Sequence, residues 1–309
     1  MFLVCKMRHM SKGRSRSQAA MEYLMTYGWT ILIVAIVIVA LFQLGLFDNS
    51  SLTTHAVAGA CQAVHNAAGS NLAGQCNNGQ PQFVAQFNGQ SGSIIVASSS
   101  SLNFGTSPFT VSAWVKPSSN LATYYGVVEK KTYYNGNYPG WQLWLDYRNC
   151  PSSGPESLRI NDGSTVDDLT PYGNSQCSIL SGNSWVFITA EVNPSSGVTF
   201  YINGANDGTS SFTLNSISST SSLDIGGING YYFPGLISNV QVYNTSLSAI
   251  EISALYQEGI GGVPIDPAHI VGWWPLNGNA QDYSGNNNNG AVVGGVSYSS
   301  AWASGYASP

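Results

Sequence analysis

The chain has 309 residues, 10 bases against 15 acids and a formal net charge of −5; with a pI near 5.2 it lacks the basic face a nucleic-acid binder needs. Charged residues make up 8% of the chain against roughly 25% in an ordinary soluble domain, while a hydrophobic share of 43% excludes both a multi-span membrane protein and a disordered chain. Gly, Ser, Asn and Thr fill the gap and aromatics reach 12%, which suits an exported, turn-rich β protein. The charge is unevenly placed. Lys6, Arg8, Lys12, Arg14 and Arg16 fall within the first 17 residues, where no acid occurs, so this head carries +5. With five bases and 15 acids, residues 18–309 carry −10. Between Glu22 and Asp48 stand 25 uncharged residues. Their centre, Ile-Leu-Ile-Val-Ala-Ile-Val-Ile-Val-Ala-Leu-Phe (31–42), is apolar on every face. At about 1.5 Å per residue the run spans a bilayer core of about 30 Å. A basic flank on one side predicts that side in the cytoplasm and the chain from Asp48 outside. A cleaved secretory signal competes, but its apolar region runs about 7–15 residues and ends in a small-residue site, and no clean Ala-x-Ala site follows the longer run here directly.

The junction Ser-Arg-Ser-Gln-Ala-Ala-Met-Glu-Tyr-Leu (15–24), followed by Met-Thr-Tyr-Gly-Trp (25–29), resembles the class III signal peptide of archaeal type IV pilin-like proteins. The resemblance covers about residues 10–47. It implies a prepilin-type peptidase that cuts between Ser17 and Gln18, on the cytoplasmic side of the helix; the family more often has Gly where Ser17 stands. Residues 1–17 are then a basic leader and 18–47 the transmembrane helix. Glu22 becomes the fifth mature residue. A carboxylate at the mouth of a membrane helix is costly unless paired. The resemblance implies that Glu22 meets the new amine of a neighbouring subunit and registers self-assembly through the helix.

Residues 48–82, rich in Ala, Gly, Asn and Ser, read as a stalk or helix extension followed by loops. Cys61, Cys76, Cys150 and Cys177 give the mature chain an even count, which predicts two disulfides in an outside domain, with three connectivities open and sequence proximity favouring Cys61–Cys76 and Cys150–Cys177. Asn49 and Asn244 head glycosylation acceptor triplets. From Phe83 onward the pattern turns to short alternating runs. Strands are predicted at 83–87, 93–97, 109–115, 141–145, 158–160, 185–192, 198–202, 222–225 and 235–243. Asn203-Gly204 marks a hairpin turn. Residues 247–256 predict a helix, with Ser248 and Glu251 as a capping box.

The set Phe87-Asn-Gly89, Phe-Thr-Val-Ser-Ala-Trp-Val-Lys-Pro (109–117), Trp185, Phe-Tyr-Ile-Asn-Gly (200–204), Phe-Pro-Gly-Leu-Ile-Ser-Asn-Val-Gln-Val-Tyr (233–243) and Leu247-Ser-x-x-Glu-Ile resembles laminin-G-like, concanavalin A-type domains. It implies a two-sheet antiparallel jelly-roll β-sandwich over 83–259. The segment Val-Gly-Trp-Trp-Pro-Leu-Asn-Gly (271–278) resembles the usual start of such a domain, yet comes at the end. Residues 260–309 are therefore expected to complete the same sandwich, with 270–302 returning as a terminal strand or serving a neighbour by strand addition.

The sandwich lacks the Glu-x-Asp-x-x-Glu strand that glycosidases of this fold carry, and its histidines form no nucleophile–base motif, so an enzyme is not expected. Binding is. Aromatic residues crowd 124–147 and 231–233, and one member of each consecutive tyrosine pair must face outward. Tyr124, Tyr134, Tyr138 and Tyr232 are the ligand candidates; the resemblance implies a carbohydrate or protein partner. Asp282 with Asn286, and the Asp162/Asp167/Asp168 turn, read as calcium ligands or as Asx-turn hydrogen bonds. The whole reads as a single-pass surface protein displaying a lectin-like domain for adhesion, or as a structural filament subunit.

Overall fold

The computed structural model describes residues 27, 30–37, 39, 63–65, 72–74, 80–118, 121, 123–132, 139–149, 156–162, 183–227 and 230–309. Ser17, Gln18, Glu22, Asn49, Tyr134, Tyr138 and the four cysteines lie outside them. The chain divides into two units, Met1–His55 and Ala56–Pro309. In the first, residues 30–37 are helical and Ile31, Leu32, Ile33, Val34, Ile36 and Val37 are exposed. Among the described residues no helix is long and apolar enough to cross a membrane.

The second unit begins with a small hairpin, β1 (Ala63–His65) antiparallel to β2 (Leu72–Gly74), where the sequence suggested only stalk and loops. Two antiparallel sheets follow and form a sandwich. The larger contains β3 (Val84–Asn88), β5 (Phe109–Pro117), β9 (Val186–Asn193), β10 (Gly197–Ile202), β11 (Ala205–Ser211), β13 (Pro234–Tyr243), β14 (Ile270–Trp274) and β16 (Val296–Ser299). Its order is β11-β10-β9-β5-β13-β3-β16, with β14 also on β13. The smaller contains β4 (Ser93–Val96), β6 (Tyr124–Lys131), β7 (Gly140–Asp146), β8 (Glu156–Asn161), β12 (Leu223–Ile225) and β15 (Gly290–Val293), in the order β15-β4-β12-β6-β7-β8.

Period-two alternation decides what each strand buries. Phe109, Val111, Ala113 and Val115 of β5 join Ile188 and Ala190 of β9 and Leu143 and Leu145 of β7 in the core between the sheets. Trp114, Phe187 and Tyr243 point to the other side of the larger sheet. There a second cluster packs them against Ile252 and Leu255 of α1 (Ala249–Gln257) and against Trp302. Trp114 stacks on Tyr256 of α1 with ring centres 5.7 Å apart. The helix starts at Ser248, whose hydroxyl accepts from Glu251 N while the Glu251 carboxylate accepts from Ser248 N. The outer face of the larger sheet is thus roofed by the chain itself.

The C-terminal segment adds strands to both sheets. β14 pairs the second half of β13, β15 pairs β4, and β16 pairs β3. The strand pair β15–β16 follows β3–β4 around the side of the sandwich, and the two corners touch. A Cβ on Gly294, whose φ is +65°, would lie 1.9 Å from Ser91 O, and one on Gly295 would lie 1.7 Å from Asn88 Nδ2. Only glycine fits such an approach. Asn203 and Gly204, with φ of 49° and 76°, form the β10–β11 turn.

Candidate functional site

The outer face of the smaller sheet has a different character. In β7, Trp141, Leu143 and Leu145 enter the core, so Gln142, Trp144 and Asp146 face outward. Register then sets the neighbours. Ile95, Asp224, Glu129, Gln142 and Arg159 form one row across β4, β12, β6, β7 and β8. Trp144 lies two residues further along β7, opposite Gly126, and Asp146 is opposite Tyr124.

An aromatic cluster crowns this face. Tyr124 stacks on Trp144 at 4.6 Å with an 18° interplanar angle, and Tyr231 lies 4.4 Å from Tyr124 and 5.3 Å from Trp144. The Arg148 guanidinium sits 4.1 Å from the centre of the Tyr124 ring, and that of Arg159 sits 5.0 Å from Trp144. Arg148 is aimed by a two-pronged contact with Asp146, Nε to Oδ1 at 2.9 Å and Nη2 to Oδ2 at 2.6 Å. Such planar recognition fixes direction as well as distance. Trp144 is buried, Tyr124 and Tyr231 are half-buried, and Arg148 is exposed. Burial, then a hydrogen bond with Tyr231, raises the Tyr124 pKa against the pull of the two arginines. Neutral phenols beside cations and ring faces can bind a polar, flat-sided ligand.

The middle of the row beside the cluster, Asp224, Glu129 and Gln142, is polar and buried. Gln142 Nε2 donates to Glu129 Oε2, and Asp224 Oδ2 accepts from Ser222 Oγ at 2.8 Å. Asp224 Oδ1 and Trp144 Nε1 are buried and have no hydrogen-bond partner among the described residues. Burial pushes the Asp224 carboxyl up to about 6, with Ser222 and Lys130 opposing. Burial also pulls Lys130 down to about 8, against the attraction of Asp224. Lys130 Nζ donates to Ser98 Oγ at 3.1 Å and to Ser221 O.

The sign of the pH effect follows. A carboxyl raised from 3.8 to about 6 contributes stability that is full below about pH 4 and lost as pH rises through about 6. A lysine lowered from 10.5 to about 8 contributes stability that is full above about 10.5 and lost as pH falls through about 8. Asp224→Asn removes the first effect. It is expected to raise stability at pH 7 by about 1–3 kcal/mol and to flatten the change between pH 4 and 7. Urea unfolding of both proteins across that range checks it; equal slopes against pH would refute it.

Of the predicted ligand residues, the structure places Tyr124 in the cluster. Its ring partner is Tyr231, with Tyr232 half-buried next in sequence. Tyr231 belongs to the expected 231–233 aromatic cluster, whereas Trp144, Arg148, Arg159 and the Glu129–Asp224 pair carry no such expectation. One signal for Trp144 was present: Trp141 and Trp144 are three apart in a strand, so they cannot share a face.

Asp282 works as a loop organiser. Its Oδ1 accepts from Trp273 N at 2.9 Å and Ser284 N at 2.8 Å; its Oδ2 accepts from Asn288 N at 2.8 Å and Ser284 Oγ at 2.9 Å. Asn286 Nδ2 donates to Ser284 Oγ at 3.1 Å. This is the Asx-turn arrangement. Among the described residues no three His, Cys, Asp or Glu side chains are grouped to hold a metal ion. Asn244 is exposed just after β13.

Known structures superpose on parts of the chain. A candidate carbohydrate-binding protein from Bacteroides ovatus superposes with a TM-score of 0.51 at 16% identity, over 71% of this chain and 60% of its own. The botulinum neurotoxin serotype D ligand-binding domain, solved with N-acetylneuraminic acid, gives 0.45 at 18% identity, over 66% and 45%. A heptameric SAP-like pentraxin from Limulus polyphemus gives 0.44 at 15%, over 68% and 95%. The chain thus spans 60% of the Bacteroides protein and under half of the neurotoxin domain. No curated protein matches the sequence. The family model of the concanavalin A-like lectin/glucanases superfamily matches residues 88–253, more than half of the chain, and the chain belongs to that family.

Proposed function

We propose that the chain is a surface-displayed, lectin-like recognition protein that binds carbohydrate on the outer face of its smaller sheet. One observation carries this reading. The larger sheet's outer face is roofed by α1 and Trp302, whereas the smaller sheet presents Tyr124, Tyr231 and Arg148 as a rim over Trp144. Half-buried rings flanked by hydrogen-bonding groups suit the apolar faces and hydroxyl edges of sugars. The Bacteroides relative, described as a candidate carbohydrate binder, supports the choice of ligand class.

The N-terminal motif supports the setting. Cleavage by a prepilin-type peptidase before Gln18, with residues 18–47 in the membrane, would leave the sandwich outside the cell, either as an adhesin or as a subunit assembled through Glu22. The sandwich acts by binding and not by catalysis in this reading. Tyr124→Ala is expected to weaken glycan binding by about tenfold or more, from loss of stacking. Array binding and calorimetry on the full chain, with calcium and with chelator, check it. Undiminished affinity in a folded variant would move the site elsewhere.

A further inference from the structure

The triplet Asn244-Thr245-Ser246 lies between β13 and the cap of α1, and its backbone is tied down. Asn244 N donates to His269 O at 3.0 Å. Thr110 of β5 clasps the next links: its hydroxyl donates to Thr245 O at 2.8 Å and accepts from Leu247 N at 3.0 Å. Two side chains stay unused. Asn244 is exposed and its amide makes no hydrogen bond among the described residues. Ser246 Oγ is buried and has no hydrogen-bond partner among them.

Both stand out. Elsewhere asparagines organise turns and strands: Asn203 Oδ1 accepts from Phe187 N, and Asn239 Nδ2 donates to Gly262 O. A buried hydroxyl without a partner is unfavourable, so nothing in the fold calls for Ser246. An asparagine amide with a hydroxyl two residues on is, however, what an N-glycosylating transferase reads. Asn193-Pro194-Ser195 gives the contrast. Its ends are the same, but the proline bars the reaction and Asn193 Oδ1 is taken by Ser195 N.

We infer that Asn244 carries an N-linked oligosaccharide, attached before the sandwich closes on Ser246. This rests on the reading that places the sandwich outside the cell. In the step, the Asn244 amide nitrogen attacks the anomeric carbon of an oligosaccharide carried on a lipid phosphate. A C–N bond forms and the C–O bond to the phosphate breaks. The lipid phosphate leaves with the electron pair, and the amide proton passes to a base of the transferase. Burial sets the order. The transferase must meet the Ser246 hydroxyl, which the folded chain shuts away behind the Thr110 clasp. The amide itself stays outside, so the finished glycan projects into solvent. It follows a strand of the larger sheet, whereas Tyr124 and Trp144 belong to the smaller one.

The test expresses the full chain in a host that N-glycosylates exported proteins. Mass spectrometry of the peptide holding residues 244–246 is expected to find the host's oligosaccharide on Asn244, and to lose it in Asn244→Gln and Ser246→Ala alike. Protease added to intact cells reports separately whether the sandwich is outside. A sandwich outside with a bare Asn244 overturns the inference and spares the surface reading. A sandwich inside removes that reading, and the inference with it. Unmodified full chain from a host without the pathway tests the order. Given purified transferase and its lipid-linked oligosaccharide, the folded chain should react at least about tenfold more slowly than a peptide of residues 240–250, because acceptance needs local opening. Equal rates would overturn the stated order. Ser246→Ala in the unmodified chain should melt at an equal or higher temperature, since the lost hydroxyl has no partner. A lower one would give Ser246 a place in the fold and overturn the argument.

Discussion

A chain ended after Asn289 is expected to lose cooperative folding. The loss is large because residues 290–309 serve both sheets and the roof together. β15 supplies a partner for all four residues of β4, and β16 for four of the five residues of β3. Their removal leaves two strand edges open, a known hazard for aggregation. Trp302 also goes. It is buried at 3% exposure, donates from Nε1 to Pro81 O at 2.9 Å and accepts at its carbonyl from Trp185 Nε1 at 2.9 Å. Tyr306 OH and Gly305 O, which accept from Ile260 N and Trp185 N, disappear as well. Burying one large aromatic is worth roughly 2–3 kcal/mol. With the strand pairing added, the total exceeds about 5 kcal/mol, the lower end of a domain's whole stability. Urea unfolding followed by near-ultraviolet circular dichroism reads this directly. A truncated chain with the midpoint and slope of the full one would show that the two strands are dispensable.

Asp282→Ala is expected to cost about 3–5 kcal/mol, although it touches no strand-to-strand core contact. The carboxylate accepts four hydrogen bonds, three of them from backbone N–H groups of residues 273, 284 and 288. Removing it strands Trp273 N, which is buried. It also frees the loop that carries Asn288, whose carbonyl accepts from Trp274 Nε1 at 2.9 Å and whose side chain donates to Val271 O at 2.8 Å. Asp282→Asn should recover part of the loss, since one oxygen still accepts. Melting curves with calcium and with chelator complete the experiment. Equal curves for the unmutated chain fit a purely hydrogen-bonded role; a chelator-induced drop would bring calcium into this loop.

Much of the sandwich was legible in the sequence because its strands alternate strongly. Residues 109–115 and 185–192 place every second side chain in the core, and the observed strands β5 and β9 fall on them within two residues. The Ser248–Glu251 box was legible for the same local reason. The strand β11, Ala205–Ser211, was not: it is polar, largely exposed and lies at the sheet edge, so burial writes no pattern into it. β6 was hidden differently. Its tyrosines and its buried Glu129, Lys130 and Lys131 look like a polar surface run until β7 and β12 are laid beside it. Only part of the candidate site showed, at Tyr124 and the 231–233 aromatics, for that reason. Trp144 meets Tyr124 only through the β6–β7 register, and Tyr231 reaches them only from the loop before β13, which no single segment encodes.

The position of β3 has a mechanical consequence. It is the strand through which the preceding chain enters the sandwich, and it lies between β13 and β16, antiparallel to both. Just ahead of it, Pro81 O is held by Trp302 Nε1, and Phe83 N donates to Asn277 Oδ1 at 2.8 Å. A tension applied from the N-terminal side therefore runs along β3 and loads the hydrogen bonds of two flanks at once, in shear. A strand at an open edge would peel away bond by bond. If the protein is tethered by its N-terminus and grips a surface through its smaller sheet, the C-terminal strand works as a strain relief at the point where the cable meets the body.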